Sequence, residues 1–439
     1  MANFEVTNTN DSGAGSLRQA ILNANVRYGA DSITFDSSLS GKTINLTSGR
    51  ININDDLTVN GLGADNLTID AGGRSRVFYT TGSLNAGSDT HIILKGLTIT
   101  GGASASEGGA IYAYDHYYSD VNLTISDSVV TENTANGDGG AIYSDSLQDP
   151  IRIQNSTFKG NKSGGNGGAI SADEVQISNS TFRGNSSHSS GGAVASGGYV
   201  GVFKSDFIGN ITKGFGGALV SQSMFVSGGL FKGNRAGIEG GGIRAEGAAI
   251  ILYSSIIENE SDKNGGGISV AQRDAPLVLG SKKTALIANT TISGNKAKED
   301  GGGIQVVGSR TQLIPIQLFV RSKEANLLAS NVTITNNMAD SDNDGVGNGG
   351  GISNFPLGFF GNRQTERFRL RPGQITLQNS IVAGNFDTPG NNGVGFIAPD
   401  INGTARGNAN NLLGNTQGLT VEKSVVQASE SLGTGSDII

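Results

Sequence analysis

Asp340, Asp342 and Asp344 alternate with Ser341 and Asn343 and run into Gly345. Carboxylates at alternate positions closed by a glycine match positions 1, 3, 5 and 6 of a calcium loop, where hard oxygen ligands wrap a divalent cation. Position 12 would be Gly351 rather than glutamate, so the segment is not an EF-hand. A calcium site and a solvated acidic turn both fit this pattern. A second cluster is aromatic: Tyr112, Tyr114, Tyr117 and Tyr118 surround Asp115 and His116, and Tyr143 follows. Tyrosines at this density suit stacking on sugar rings or on a protein partner, and they also suit a loop that folds back on its own scaffold.

A third cluster is basic. The stretches 271–286, 308–326 and 353–374 hold Arg273, Lys282, Lys283, Arg310, Arg321, Lys323, Arg363, Arg367, Arg369 and Arg371. Their acids are Asp274, Glu324 and Glu366, so they carry +7 and the rest of the chain carries −14. With Phe355, Phe359, Phe360 and Phe368 nearby, such a wall could bind an anionic polymer; a solvated lobe is the alternative. Acids gather elsewhere, in the turns. Glu239, Asn264, Asp300 and Asn348 each precede a glycine pair, with Glu260, Asp262 and Glu299 beside them.

The elements that must position these groups announce themselves by repetition. An apolar-x-x-Asn unit ends at Asn133, Asn161, Asn185, Asn210, Asn234, Asn259, Asn295, Asn337 and Asn385. A GG[AG][ILV] unit starts at Gly108, Gly139, Gly167, Gly191, Gly216, Gly240, Gly265, Gly301 and Gly349. From Asn161 to Asn259 the asparagine recurs after 24, 25, 24 and 25 residues, and from Asn133 to Asn295 the glycine pair always starts six residues later. A period of that size signals a solenoid. Gly, Asn, Ser and Thr interrupt every stretch that a helical repeat would need. Three strands of about five residues with three turns fill the period, so each repeat reads as one coil of a parallel β-helix, adding about 4.8 Å of height. The apolar residue of each unit should stack inside, the asparagine should bond its neighbours above and below, and the glycines should permit close turns.

Together the paired GGA[ILV] and FxxN motifs resemble the repeats of the chlamydial polymorphic membrane proteins and of cyanobacterial β-helix surface proteins, over about Leu97 to Asn385. The resemblance implies a right-handed parallel β-helix of the pectate-lyase-like kind that serves as an exported, adhesive passenger on a bacterial surface.

The 69 glycines in 439 residues have no collagen-like period, and only 7 prolines accompany them. No cysteine is present, which excludes a disulfide scaffold, a thiol nucleophile and a thiolate metal site. The net charge of −7 argues against nucleic acid as a partner, and no apolar run is long enough to span a membrane. The N-terminus does not read as a signal peptide, the secretion route stays open, and the uncapped C-terminal stretch points to a parent continuing past Ile439.

Residues 16–25 read as a capping helix with Ser16 as N-cap and Leu17, Ile21 and Leu22 on one face. The expected organisation is a single β-helix of about a dozen coils: a cap over 1–40, regular coils over 41–270, coils over 271–385 with long inserts mostly in the third strand-and-turn region, and C-terminal coils over 386–439. The expected function is an extracellular surface or adhesive protein whose loops bind a polysaccharide or cell-surface ligand. Tyr112, Tyr114, Tyr117, Tyr118, Arg363, Arg367, Arg369 and Arg371 are the candidate ligand contacts, and Asp340, Asp342 and Asp344 the candidate calcium ligands. The alternative is a polysaccharide lyase, epimerase or hydrolase with a site under the inserts at 271–374. No catalytic motif picks out any residue, and His91, His116 and His188 fall in unrelated places.

Overall fold

A computed structural model describes residues 1–81, 89–114, 121–146, 149–271, 284–307, 326–344, 347–354, 374–387, 400–407, 411–415, 417 and 419–421. The chain is a parallel β-helix of about 12 turns, and the strand pairings among the described residues are parallel. Its residues form two compact units, Met1–Gln222 with Gly228–Ala236, and Ser223–Ser227 with Gly237–Ile439.

In the first unit each coil from Thr90 onward adds one rung to three sheets. The coil from Ile170 contributes Ile170–Ser178 to the first sheet, Thr181–Arg183 to the second and Ser186–Ser187 to the third. The strands are thus one long and two short, rather than three of about five residues. The cause lies in the turn residues. Asn155, Asn179 and Lys204 take positive φ (49°, 47° and 44°) between the first and second strands, and Gly160, Gly184 and Gly209 do so after the second. That leaves room for one inward side chain on the second strand. In the earlier coils of this unit it is Ile99 and then Val130; from the next coil on it is a phenylalanine, and Phe158, Phe182, Phe207 and Phe231 stack with centroids 4.9, 5.0 and 4.8 Å apart. All four are fully buried. The separation is that of neighbouring strands, so register alone produces the stack.

Two polar ladders run beside the aromatic one. The backbone N–H and the Nδ2 of Asn161 both donate to Asn185 Oδ1 (3.1 and 3.0 Å), and Asn185 does the same to Asn210 (3.0 and 3.0 Å). Buried amides that the turn leaves without strand partners are satisfied in this way. At the other corner Ser156 N–H donates to Ser180 Oγ (3.1 Å) and Ser180 N–H to Ser205 Oγ (3.1 Å). The first glycine of each pair takes positive φ, as at Gly191 (φ 65°). The second admits close backbone approach, since a Cβ on Gly192 would collide with the Gly217 carbonyl.

The N-terminal cap is the helix Leu17–Asn25, whose N-cap Ser16 Oγ accepts from Gln19 N–H at 3.2 Å. Leu17, Ala20, Ile21 and Ala24 are its buried face. Leu22, expected on that face, is half exposed; at one residue past Ile21 it turns about 100° towards solvent, and Ala20 and Ala24 pack instead.

The second unit repeats the plan: Asn295 donates twice to Asn337 Oδ1 (3.1 and 2.9 Å), and Asn337 twice to Asn385 Oδ1 (3.1 and 2.9 Å). Its long strands are broken. Ile243–Leu252 is continuous, but it pairs with both Ile268–Val270 and Thr284–Ala288 of the following coil. The later coils split likewise into Ile304–Val306 with Asn326–Ser330, and Ile352–Ser353 with Gln374–Gln378. The added residues therefore fall between the halves of the first-sheet strand, not in a third strand and turn. In the first unit the Tyr-rich loop falls at the equivalent point, between Ile111–Tyr114 and Val121–Ser126.

Candidate functional site

The outward positions of the first sheet gather the chemistry in the first unit. Asn52, Tyr79, Tyr112 and Tyr143 are register partners on successive rungs. Alternation places them outward because Phe78, Ile111 and Ile142 before them are fully buried. Tyr112 meets Tyr79 and Tyr143 edge to face, with centroids at 5.5 and 5.1 Å and planes at 76° and 84°. Tyr114 lies two positions on from Tyr112 and stacks on Tyr79 at 6.2 Å. The result is a continuous aromatic surface of four half-buried rings.

Two arginines frame it. The Arg50 guanidinium lies 4.0 Å from the Tyr79 ring centre, and Arg76 lies 5.3 Å from that of Tyr112. Arg18 of the capping helix donates to the carbonyls of Arg50 (2.8 Å) and Gly49 (2.7 Å), fixing the turn that carries Arg50. Arg76 Nε donates to the Glu107 carbonyl (2.9 Å) and its NH2 to Ser106 Oγ (2.7 Å). Burial pushes the Arg76 guanidinium down from its ordinary value, and the like charge of Arg50 adds to this. Tyr112 Oη donates to Asp145 Oδ2 at 3.3 Å. Burial raises the phenols of Tyr79, Tyr112 and Tyr143, so all three stay neutral donors at physiological pH. Rings with a carboxylate at one end and guanidinium groups at the other offer apolar faces to a sugar ring and hydrogen bonds to its hydroxyls.

Tyr112 and Tyr114 were legible in advance. Tyr117, Tyr118, Arg363, Arg367, Arg369 and Arg371 lie outside the described residues, as do the other basic residues of the inserts. Tyr79, Arg50 and Arg76 were missed, because they precede the regular repeat. The available signal was the shared apolar-Tyr step in Phe78-Tyr79, Ile111-Tyr112 and Ile142-Tyr143.

In the second unit Asp340, Asp342 and Asp344 each bring a carboxylate oxygen within 4.8 Å of the others; Asp340 is buried and the other two are exposed. Asp340 takes φ 48°, its carbonyl accepts from Asn343 N–H (3.0 Å) and its Oδ1 from Asp344 N–H (3.0 Å). Three converging carboxylates are a hard oxygen donor set that fits a divalent cation. The acids ahead of the glycine pairs have structural partners. Glu239 pairs with Arg244 and accepts from Ser269 Oγ (3.0 Å). Asp300 N–H donates to Asn264 Oδ1 (2.9 Å), and Asp300 Oδ1 accepts from Asn348 N–H (2.8 Å). Burial, with smaller contributions from Glu299 and Asp387, pushes the Asp300 carboxyl up to about 6.

The Chlamydia polymorphic membrane protein repeat model matches residues 127–145, 155–173 and 289–306. Each match includes the Asn-to-glycine-pair turn described above, and the chain resembles the passenger domains of that family. No curated protein matches the chain. Among solved structures it is similar to the A-module of the Azotobacter vinelandii mannuronan C-5 epimerase AlgE4, at 10% identity over 92% of this chain and 93% of that one (TM-score 0.38). It is also similar to the AlgE6 A-module, at 12% identity over 96% and 98% (TM-score 0.38). PfbA, a surface adhesin of Streptococcus pneumoniae, matches at 14% identity over 90% and 87% (TM-score 0.36). Among the described residues no helix is long and apolar enough to cross a membrane.

Proposed function

We propose that this bacterial surface β-helix is an extracellular adhesive protein that binds a polysaccharide along the aromatic surface of its first unit. The observation that carries the proposal is the register of Tyr79, Tyr112 and Tyr143 on successive rungs, with Tyr114 stacked on Tyr79. Rungs rise by about 4.8 Å, close to the length of one sugar unit, so a chain laid along the rungs meets one ring per unit. Half-buried tyrosines fixed by edge-to-face packing lose little freedom on binding.

The absence of tryptophan makes tyrosine emission a clean reporter. Titration with a panel of neutral polysaccharides should quench it saturably for at least one polymer. Tyr79→Ala with Tyr112→Ala should weaken that binding by at least about tenfold, one aromatic anchor being worth about 1.4 kcal/mol or more. Equal binding by the folded double variant would overturn the proposal. Release of reducing or unsaturated sugars in the same assay would favour the enzymatic alternative.

A second proposal concerns the acidic turn. Asp340, Asp342 and Asp344 hold a calcium ion that braces the turn ahead of Gly349. The convergence of their oxygens supports it.

A further inference from the structure

A different face of the first unit carries a charge pattern that neither the repeat nor the aromatic surface explains. On the second sheet, Lys159, Arg183, Ile208 and Lys232 are outward register partners on four successive rungs. On the third sheet, Lys162, Ser186, Ile211 and Arg235 form a parallel outward column. Lys204 and Lys213 flank the third of these rungs in the turns on either side. Of these seven cations six are exposed and Lys232 is half-buried. The acid among them is Asp206, and Glu132 stands one rung before the first lysine. From Asn155 to Ala236 this face therefore carries +6 on a chain whose total is −7.

The scaffold does not require these cations. One coil earlier the same two columns hold Thr131 and Thr134. In the second unit the matching second-sheet positions are Ile257, Ser293 and Thr335. Lys159 and Arg183 are direct register neighbours, about 4.8 Å apart at the backbone, where like charges repel and weaken strand pairing. Lys159, Lys162 and Arg183, kept at a small cost in stability where threonine fits, point to a ligand that neutralises them. The four rungs span about 14 Å, and no deep pocket is needed: a linear polymer of regularly spaced anions matches a linear array of cations.

We infer that this stripe is a second binding surface, for an anionic polysaccharide bearing sulfate or carboxylate groups. It is separate from the aromatic surface and does not rest on it. Lysine and arginine ends on long stems reach such groups without rearranging the β-scaffold, and Arg183 and Arg235 can engage them bidentately.

Heparin oligosaccharide serves as the probe, with the full chain titrated by calorimetry at low salt. Binding is expected, with affinity falling linearly on a log–log plot against salt concentration as counterions are released. Replacing Lys159, Lys162 and Arg183 by threonine, the residue at these columns in the preceding coil, should weaken heparin binding by at least about tenfold and flatten the salt slope. Adding Lys232→Thr and Arg235→Thr should abolish it. The Tyr79→Ala, Tyr112→Ala variant should bind heparin as the wild type does, which separates this inference from the function proposed above. Absence of heparin binding by the wild type, or unchanged binding by the folded triple variant, would overturn it. So would tighter binding to a single-stranded oligonucleotide of equal charge, because the surface would then be reading phosphate.

Discussion

Asn385 gives both its backbone N–H (3.2 Å) and its Nδ2 (2.9 Å) to one oxygen of Asp400. That contact ends the asparagine ladder of the second unit. Asn295, Asn337 and Asn385 each accept from the coil before and donate to the coil after, so the side-chain dipoles add head to tail as peptide dipoles do in a helix. The ladder thus needs an acceptor at its far end that has no proton of its own to place. A carboxylate meets that need, and its second oxygen takes the N–H of Asn415. Burial raises the Asp400 carboxyl, while these donors act against that rise.

The interior of the ladder should be costly to break. Asn185 accepts twice from Asn161 and donates to Asn210 Oδ1 and the Phe158 carbonyl, with no exposure to solvent. Asn185→Ala strands all of these partners and should lower unfolding free energy by about 2–4 kcal/mol. Urea unfolding followed by circular dichroism measures this, and a loss under about 0.5 kcal/mol would show that the ladder is decorative.

Two glycines with nearly the same φ should respond differently to alanine. Gly184 (φ +61°) has nothing within 4 Å of the added carbon, whereas at Gly191 (φ +65°) the carbon would press on the Val194 carbonyl. Gly184→Ala should cost about 1–2 kcal/mol, the left-handed backbone alone. Gly191→Ala adds a steric collision inside the stack and should cost clearly more. Equal shifts in thermal midpoint would refute the close-approach argument.

Asp300 should make the protein less stable as pH rises. Its folded-state carboxyl is raised to about 6 from 3.8, so between those values the native state holds the proton more tightly than the unfolded chain does. Stability is full below the lower value and falls as pH rises through the upper one, by roughly 2–3 kcal/mol. Asp300→Asn places at this position the residue found at Asn264 and Asn348. It should raise the unfolding midpoint at pH 7 and leave it nearly unchanged at pH 3.5. A midpoint unaltered at pH 7 would mean that the carboxyl is relieved by another route.

Calcium should give a measurable heat when titrated into the wild type. That heat should vanish in Asp342→Ala, a change at an exposed side chain outside the buried core. No heat with the wild type removes the calcium proposal.

The scaffold was largely readable because its rules are local and repeated. Phe182, Asn185 and the pair at Gly191 recur at fixed spacing, and each does what its chemistry implies. The serine ladder through Ser156, Ser180 and Ser205 was not foreseen: a hydroxyl after Asn155, Asn179 or Lys204 looks like an ordinary turn residue until register aligns it. The aromatic surface was half legible. Tyr112 and Tyr114 stood out as a cluster, but Tyr79 and Arg50 come to it from coils whose sequences lack the repeat, and only pairing between rungs unites them. The location of the inserts was misjudged because period alone gives the length of a coil and not where along it residues are added.

That location has a wider consequence. Ile170–Ser178 and Ile243–Leu252 run unbroken where other coils leave a gap between Val306 and Asn326, yet the rungs on both sides of the gap keep their pairing. Insertion and deletion at this one joint are therefore uncoupled from the folding code. A lineage, or an engineer, can exchange the segment there for another and change specificity while the load-carrying stack inherits unaltered.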